Sequence, residues 1–244
     1  MKLGQSQSLQ NRYAADIGDY VKLALLRHLA VGRQLGIAWY LYPDEGHNGD
    51  GKHIKYLSDP ERWRDLDPFL FDALQAVANE GRSVAALQAS GAISAAAAFS
   101  IPIVEGTLSK GRSLARAAWF AQNLEALATC DLVFADPDNG IIDDSEHRRK
   151  QPSFGKQMPL SEVLSLAAGR PAVIYHHNTR FKGGHHKEVD HWLAQLGPKA
   201  LAIRANAYSC RTFFIVNPDQ SLADRAAEFC ARWSNHNVWL HGAT

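Results

Sequence analysis

The sequence predicts an α/β protein with a doubly wound, mostly parallel sheet that ends in an antiparallel hairpin. Three observations carry this prediction. Short apolar runs bounded by turn residues, such as Leu132-Val133-Phe134-Ala135, alternate with longer segments of helical spacing. The last two apolar runs, Ala200 to Arg204 and Arg211 to Asn217, follow each other with only a short loop between them. The central run ends at Asp136-Pro137, because a proline cannot donate a ladder hydrogen bond. Carboxylates are thereby delivered to a strand's carboxyl end, where open α/β sheets place ligands.

Residues 1–10 read as a flexible N-terminus and 11–244 as one α/β domain, since no repeat or linker interrupts the alternation. Asp19 reads as the cap of a helix through Tyr20, Val21, Leu25, Leu26 and Leu29, with Lys22 and Arg27 outside. Ile37 to Tyr42 reads as the first buried strand, followed by a polar loop from Pro43 to His53. Glu61 to Asn79 has helical spacing, with Pro68 breaking or starting a helix inside it. Arg82 to Leu87 and Phe99 to Val104 read as strands, the second at an edge because of Pro102, while Ser94 to Ala98 is ambiguous. Ser113 to Ala128 is a helix on the spacing of Leu114, Ala117, Ala118, Ala121, Leu124 and Leu127. Beyond the central strand, Ile141 to Pro159 reads as irregular and charged, and Leu160 to Ala168 as a short helix. Pro171 to Tyr175 is an apolar strand running into His176-His177-Asn178-Thr179-Arg180. Helices from His185 to Leu196 and from Leu222 to Trp233 complete the pattern.

Composition narrows the function classes. No apolar run approaches the roughly 20 residues of a membrane span, and Met1 to Gln10 lacks the apolar centre of a secretory signal. Cys130, Cys210 and Cys230 are odd in number and widely spaced, against a disulfide framework or a cysteine-type zinc site. A reduced, cytoplasmic protein with no membrane partner is expected. The formal net charge is +1, so any nucleic-acid contact has to come from local basic patches.

Several patches resemble a known family. Asp16 to Leu41 is similar to the opening helix and first strand of the ribosomal-RNA adenine-N6 methyltransferases of the Asp-Pro-Pro-Tyr type. Leu132 to Pro137 resembles their catalytic strand, and Val173 to Tyr175 with Arg211 to Pro218 their later strands. The resemblance is distant and implies a class I methyltransferase fold, Rossmann-like in plan, with S-adenosylmethionine as cofactor and a flipped base as substrate. The strings Asp-Ile-Gly-Asp-Tyr, Trp-Tyr-Leu-x-Pro-Asp-Glu and Asp-Pro-Asp-Asn-Gly resemble a bacterial group from which no activity carries over. Two departures from the methyltransferases stand out. The family stacks an aromatic on the base just after Asp-Pro-Pro, where this chain has Asp138 and Asn139. After the first strand, Gly46, Gly49 and Gly51 are interleaved with Asp44, Glu45, His47 and Asp50 rather than forming a compact glycine-rich loop.

The residues themselves nominate a site. Asp136 and Asp138 are the candidate catalytic carboxylates, since two nearby carboxyls split their affinities for protons; the plain alternative is a tight turn at Asp138-Asn139-Gly140. His176 and His177 are candidates for proton transfer, one facing the crevice and the other packed, or else a structural histidine at a strand end. Asn139, Asn178 and Asp44 are assigned to the substrate, and Arg180, Arg148 and Arg149, supported by Lys150 and Lys156, to phosphates. Asp16, Asp19 and Lys22 are weighed as crevice residues, Asp19 being explained by its cap. His185, His186 and His191 lack metal-motif spacing and read as surface residues. Asp143 and Asp144 with the central pair would suit Mg²⁺ in a nuclease. Carboxylates and histidines beside a poor cofactor loop favour water activation. The expectation is a nucleic-acid-directed hydrolase at a base, in the manner of a DNA N-glycosylase, without a cofactor and conjecturally in defence against foreign DNA. The alternatives are an S-adenosylmethionine-dependent methyltransferase, a metal-dependent nuclease and a noncatalytic nucleic-acid-binding module.

Overall fold

Alternation along the strands sends one row of side chains to each face of a central sheet, and each face is covered by helices. The structure, a computed structural model, describes residues 14–40, 53–93, 97–99 and 111–242. In chain order the first elements are α1 (Ile17–Leu29), β1 (Leu35–Trp39), α2 (Pro60–Trp63), α3 (Pro68–Glu80), α4 (Val84–Ala89), β2 (Ala98–Phe99), α5 (Arg112–Ala126) and β3 (Leu132–Asp136). There follow β4 (Gly140–Ile142), α6 (Glu146–Arg149), β5 (Gln157–Pro159), α7 (Leu160–Leu166), β6 (Ala172–His177), α8 (Gly184–Leu196), β7 (Leu201–Ala205), β8 (Arg211–Val216), α9 (Gln220–Trp233) and β9 (Val238–Leu240).

Among the described residues the main sheet has seven strands in the order β2-β1-β3-β6-β8-β7-β9. The first four pair in parallel, whereas β8 is antiparallel to β6 and β7, and β9 is antiparallel to β7. The fold is thus Rossmann-like, mostly parallel and doubly wound, with the C-terminal hairpin β7–β8. Leu132 and Phe134 of β3 join α1, α3 and α9 in one core, while Val133 and Ala135 join α5, α7 and α8 in the other. Phe134 is fully buried, and such a side chain contributes about 1.5–3 kcal/mol by leaving water.

Several sequence expectations change. An edge position, natural for a terminal hairpin, is not what β7–β8 takes: β8 lies inside, between β6 and β7, and β9 forms the edge beyond them. α1 begins at Ile17 with Asp16 as its cap, three residues ahead of the cap expected at Asp19. Arg82 to Leu87 is not a strand; Ser83 accepts from the Ala86 N–H and starts α4 instead. α5 turns a different face inward, burying Arg116, Trp119 and Asn123 and leaving Leu114 78% exposed. Its Arg116 forms a buried ion pair with Glu162 at 2.8 Å. The stretch from Ile141 to Pro159 is structured, with β4 and β5 paired in parallel around α6. Asp44 and most of the predicted strand at Phe99 to Val104 lie outside the described residues.

Candidate active site at the carboxyl edge of the sheet

Asp136 ends β3 directly opposite Trp39, the last residue of β1. β2 lies on one side of β1 and β3 on the other, so the chain reverses its travel across the sheet between these two ends. Such a reversal opens the crevice in which doubly wound sheets hold ligands. Alternation places Asp136 with Leu132 and Phe134 on the α1 face.

The first turn of α1 is built to meet it. Asp16 Oδ1 accepts the Asp19 N–H at 2.9 Å, and Asp19 Oδ2 accepts the Ala15 N–H at 3.0 Å. This reciprocal cap satisfies otherwise orphaned donors and leaves Asp19 Oδ1 facing Lys22, three residues on. Lys22 Nζ lies 2.7 Å from Asp19 Oδ1 and 2.8 Å from Asp136 Oδ2. Its ammonium also stands 5.3 Å from the centre of the Trp39 ring. Lys22, expected on the outer face, is therefore buried, because two carboxylates await it inside.

Burial works against the Lys22 ammonium, yet Asp136 and Asp19 carry its pKa above the ordinary lysine value. Burial also pushes the Asp136 carboxyl up, with Lys22 opposing and Asp19 and Asp138 adding to the rise. At 2.8 Å the pair is an ammonium with a carboxylate, and that carboxylate takes up a proton more readily than a solvated one. The Asp136 side chain keeps 18% of its surface open, so it is reachable from the crevice. Asp16 is likewise raised, by burial and then by Asp19.

The neighbouring strand ends supply what the sequence reading missed. Arg211 opens β8 opposite His177 and is buried. Its Nη2 donates to Ser209 Oγ at 2.7 Å and its Nη1 to the Ala207 carbonyl at 3.3 Å, and its charge stabilises the Asp16 carboxylate. Tyr175 has its hydroxyl pushed up to about 12 by burial, against the pull of Arg211. The loop before Arg211 holds Tyr208 with φ 61°, a conformation costly for a bulky residue. Tyr208 is 56% exposed, and its ring stacks on His53 with the centres 5.6 Å apart and the planes 21° from parallel. The His53 carbonyl accepts the Ile17 N–H at 3.1 Å, tying this ring to the start of α1. Two signals pointed here: Asp16, Asp19 and Lys22 recur every three residues, and Arg211 is a cation at the head of an apolar strand.

The remaining candidates divide. Asp138 is half-buried with Lys156 Nζ 3.6 Å away, in a turn closed by the Gly140 N–H on the Pro137 carbonyl at 3.2 Å. Asn139 is exposed and its N–H donates to the Lys156 carbonyl at 2.8 Å. His176 faces α8 and is fully buried. Its Nδ1 accepts the Ile141 N–H at 3.0 Å and its Nε2 meets Glu188 Oε1 at 3.2 Å, so the ring proton belongs on Nε2. Gly140 has φ 86°, and a Cβ there would stand 2.3 Å from His176 Nδ1. Both ring nitrogens are thus engaged, and the geometry makes His176 a positioning residue. Asn178 is also committed, donating to Glu188 Oε2 at 3.1 Å and accepting from Thr212 Oγ1 at 2.9 Å. Burial would raise Glu188, but hydrogen bonds from His176 and Thr179 bring it down to about 2. His177 is exposed at the crevice rim, as is Arg180 beyond it.

The basic run carries its own counter-charges. Arg148 Nε lies 3.1 Å from Asp143 Oδ2 and Arg149 Nη2 3.0 Å from Asp144 Oδ1. Asp144 also accepts from the backbone N–H and hydroxyl of Ser161. Asp143 and Asp144 are therefore engaged with α6 and Ser161, and among the described residues they do not gather with Asp136 into a cluster of metal-ligating groups. Among the described residues no helix is long and apolar enough to cross a membrane. Neither a family model nor a curated protein matches the chain.

Proposed function

We propose that the protein is a hydrolase acting at the N-glycosidic bond of a nucleotide unit, in the manner of a nucleic-acid N-glycosylase. The observation that carries this reading is Asp136, a partly open carboxylate clamped by Lys22 at the reversal point of the sheet. A carboxylate of raised proton affinity, held in one orientation, is suited to take a proton from water. In this reading water oxygen bonds to the sugar C1′ as the bond from C1′ to the base nitrogen breaks. The bonding pair leaves with the base, the water proton passes to Asp136, and Asp136 then gives that proton up through solvent to the departed base nitrogen, which restores the carboxylate. Asp136 and Asp138 also oppose the positive charge that develops on the sugar.

The exposed Tyr208 ring, braced by His53, offers a stacking surface on the same rim. Stacking of a base on such a ring contributes about 1–3 kcal/mol, the contact that Asn139 cannot make. Arg180, His177 and Asn139 are open to solvent and are assigned to the rest of the nucleotide. DNA is the first polymer to test, and defence against foreign DNA is the setting in which base removal by such an enzyme would make sense. The reading is tested by incubating the protein in EDTA with DNA and RNA oligonucleotides and following free base and alkali-labile sites. Base release that tracks enzyme concentration supports it; strand cutting that requires a divalent ion overturns it.

A second reading is favoured by a different observation. The order β3, α7, β6, α8 and the hairpin β7–β8 is the order expected of a class I methyltransferase, with Asp136-Pro137 at the matching strand end. Micromolar binding of S-adenosylmethionine in calorimetry, lost in Asp136→Ala, together with methyl transfer to nucleic acid, would replace the hydrolase reading.

A further inference from the structure

The outer face of α8 carries a second cluster. Among the described residues, His186, Asp190 and His241 place one donor atom each within 4.8 Å of one another. His186 and Asp190 are spaced i, i+4 and so share one helix face, with Glu188 on the opposite, buried face. The Asp190 carboxylate lies between the two imidazoles, with His241 Nε2 2.8 Å from Oδ1 and His186 Nε2 3.7 Å from Oδ2. The two histidine rings stand 4.4 Å apart, centre to centre.

We propose that these three side chains form a binding site for a borderline divalent transition-metal ion, Zn²⁺ in the first instance. Two imidazoles and one carboxylate are a ligand set for zinc rather than for Mg²⁺ or Ca²⁺, which prefer oxygen alone. Tetrahedral ligand atoms about 2.0–2.1 Å from zinc stand about 3.3 Å apart, and here one donor atom from each of the three side chains lies within 4.8 Å of the other two. Small side-chain rotations therefore suffice. His241 is already placed: its backbone N–H donates to the Ala202 carbonyl at 2.8 Å, and its side chain is 3% exposed. His186 is 70% exposed and free to swing inward. The hydrogen bond from His241 holds the Asp190 carboxyl below the usual range, so it is ready as an anion. Arg204 lies close enough to favour the same anion, and its charge opposes an added cation. Three protein ligands leave a coordination position for water or for a fourth ligand.

The site stands apart from the proposed hydrolase chemistry, and its test does not involve activity. The full chain, stripped with EDTA and dialysed, is titrated with Zn²⁺ in a calorimeter, and with Co²⁺ to record its visible absorption. One ion per chain is expected, with a rise in melting temperature on adding Zn²⁺. His186→Gln and Asp190→Asn, both at exposed positions, should melt as wild type without metal and bind about tenfold or more weakly. His185→Gln and His191→Gln, neighbours outside the set, should bind as wild type. Absence of stoichiometric binding overturns the proposal. So does binding that survives both His186→Gln and Asp190→Asn, or that falls equally in the two neighbour variants.

Discussion

The ammonium of Lys22 is the residue on which the candidate site turns, because it is shared between Asp19 and Asp136 at 2.7 and 2.8 Å. Removing it leaves two carboxylates facing each other in a poorly hydrated edge. Lys22→Met is expected to cost about 3 kcal/mol, the lower end for stranding a buried charge because Asp136 keeps some solvent contact. Urea unfolding measures it, and Lys22→Met combined with Asp136→Asn should recover part of the loss. Glu188 supplies a pH prediction. Its folded pKa of about 2 lies below the ordinary value of 4.5, so its stabilisation is present above pH 4.5 and is lost as pH falls towards 2. The loss is on the order of 3 kcal/mol, and unfolding curves between pH 5 and pH 2 should be flatter in Glu188→Gln. The turn at Gly140 is equally specific. Gly140→Ala meets both the left-handed backbone and the His176 ring, and a cost of about 2 kcal/mol or more would lower the melting temperature by roughly 4–8 °C.

At the scale of elements, strands proved more legible than helix faces. β3 and β6 are short apolar runs bounded by proline, and their positions follow from the missing donor and from alternation. The same alternation explains why His176 packs against α8 while His177 stays at the rim. Helix α5 shows where pattern fails. Periodicity chooses Leu114 and the alanines for the core, but Arg116 is buried instead, bonded to Glu162 and set against the rings of Tyr40, Trp119 and Phe154. A cation with a complete set of partners displaces an apolar face, and all of those partners except Trp119 are distant in sequence. Leu114→Glu is therefore expected to change stability by less than about 0.5 kcal/mol, whereas Arg116→Ala should cost about 3–5 kcal/mol. Chemical denaturation of the two variants measures this directly. The helix pattern puts Lys22 outside for the same reason, since it carries no information about Asp136, 114 residues away, although the recurrence of Asp16, Asp19 and Lys22 already allowed a place in the crevice.

Across the whole molecule, the order of helices and strands was readable because each element carries its own period. The order of strands within the sheet was less so. That β8 inserts between β6 and β7, and that β9 adds an edge, depend on pairings no local pattern encodes. Charge is similarly a global matter. The run Arg148-Arg149 reads as basic in sequence, but Asp143 and Asp144 fold back onto it, in keeping with a net charge of +1. Phosphate contacts by these arginines would have to displace their own carboxylates. Binding of a labelled DNA duplex is accordingly expected to weaken only slightly with salt, and Arg148→Ala with Arg149→Ala should change the logarithmic slope by less than the roughly 0.9 per lost phosphate contact. The site itself was legible in part: Asp136 at its strand end could be read from Pro137, whereas Arg211, Tyr175 and Tyr208 reach the same rim only through the tertiary fold.

The central claim is that Asp136 activates water at a glycosidic bond, and a single-turnover assay of free base released in EDTA tests it most directly. The oligonucleotide that wild type hydrolyses is compared with the same oligonucleotide and Asp136→Asn, both proteins first shown to be folded. Loss of a general base predicts a fall in rate of roughly 10²–10⁴-fold, with alkali-labile sites disappearing in parallel. Equal rates in the two proteins, or no base release by wild type from any DNA or RNA, would contradict the claim.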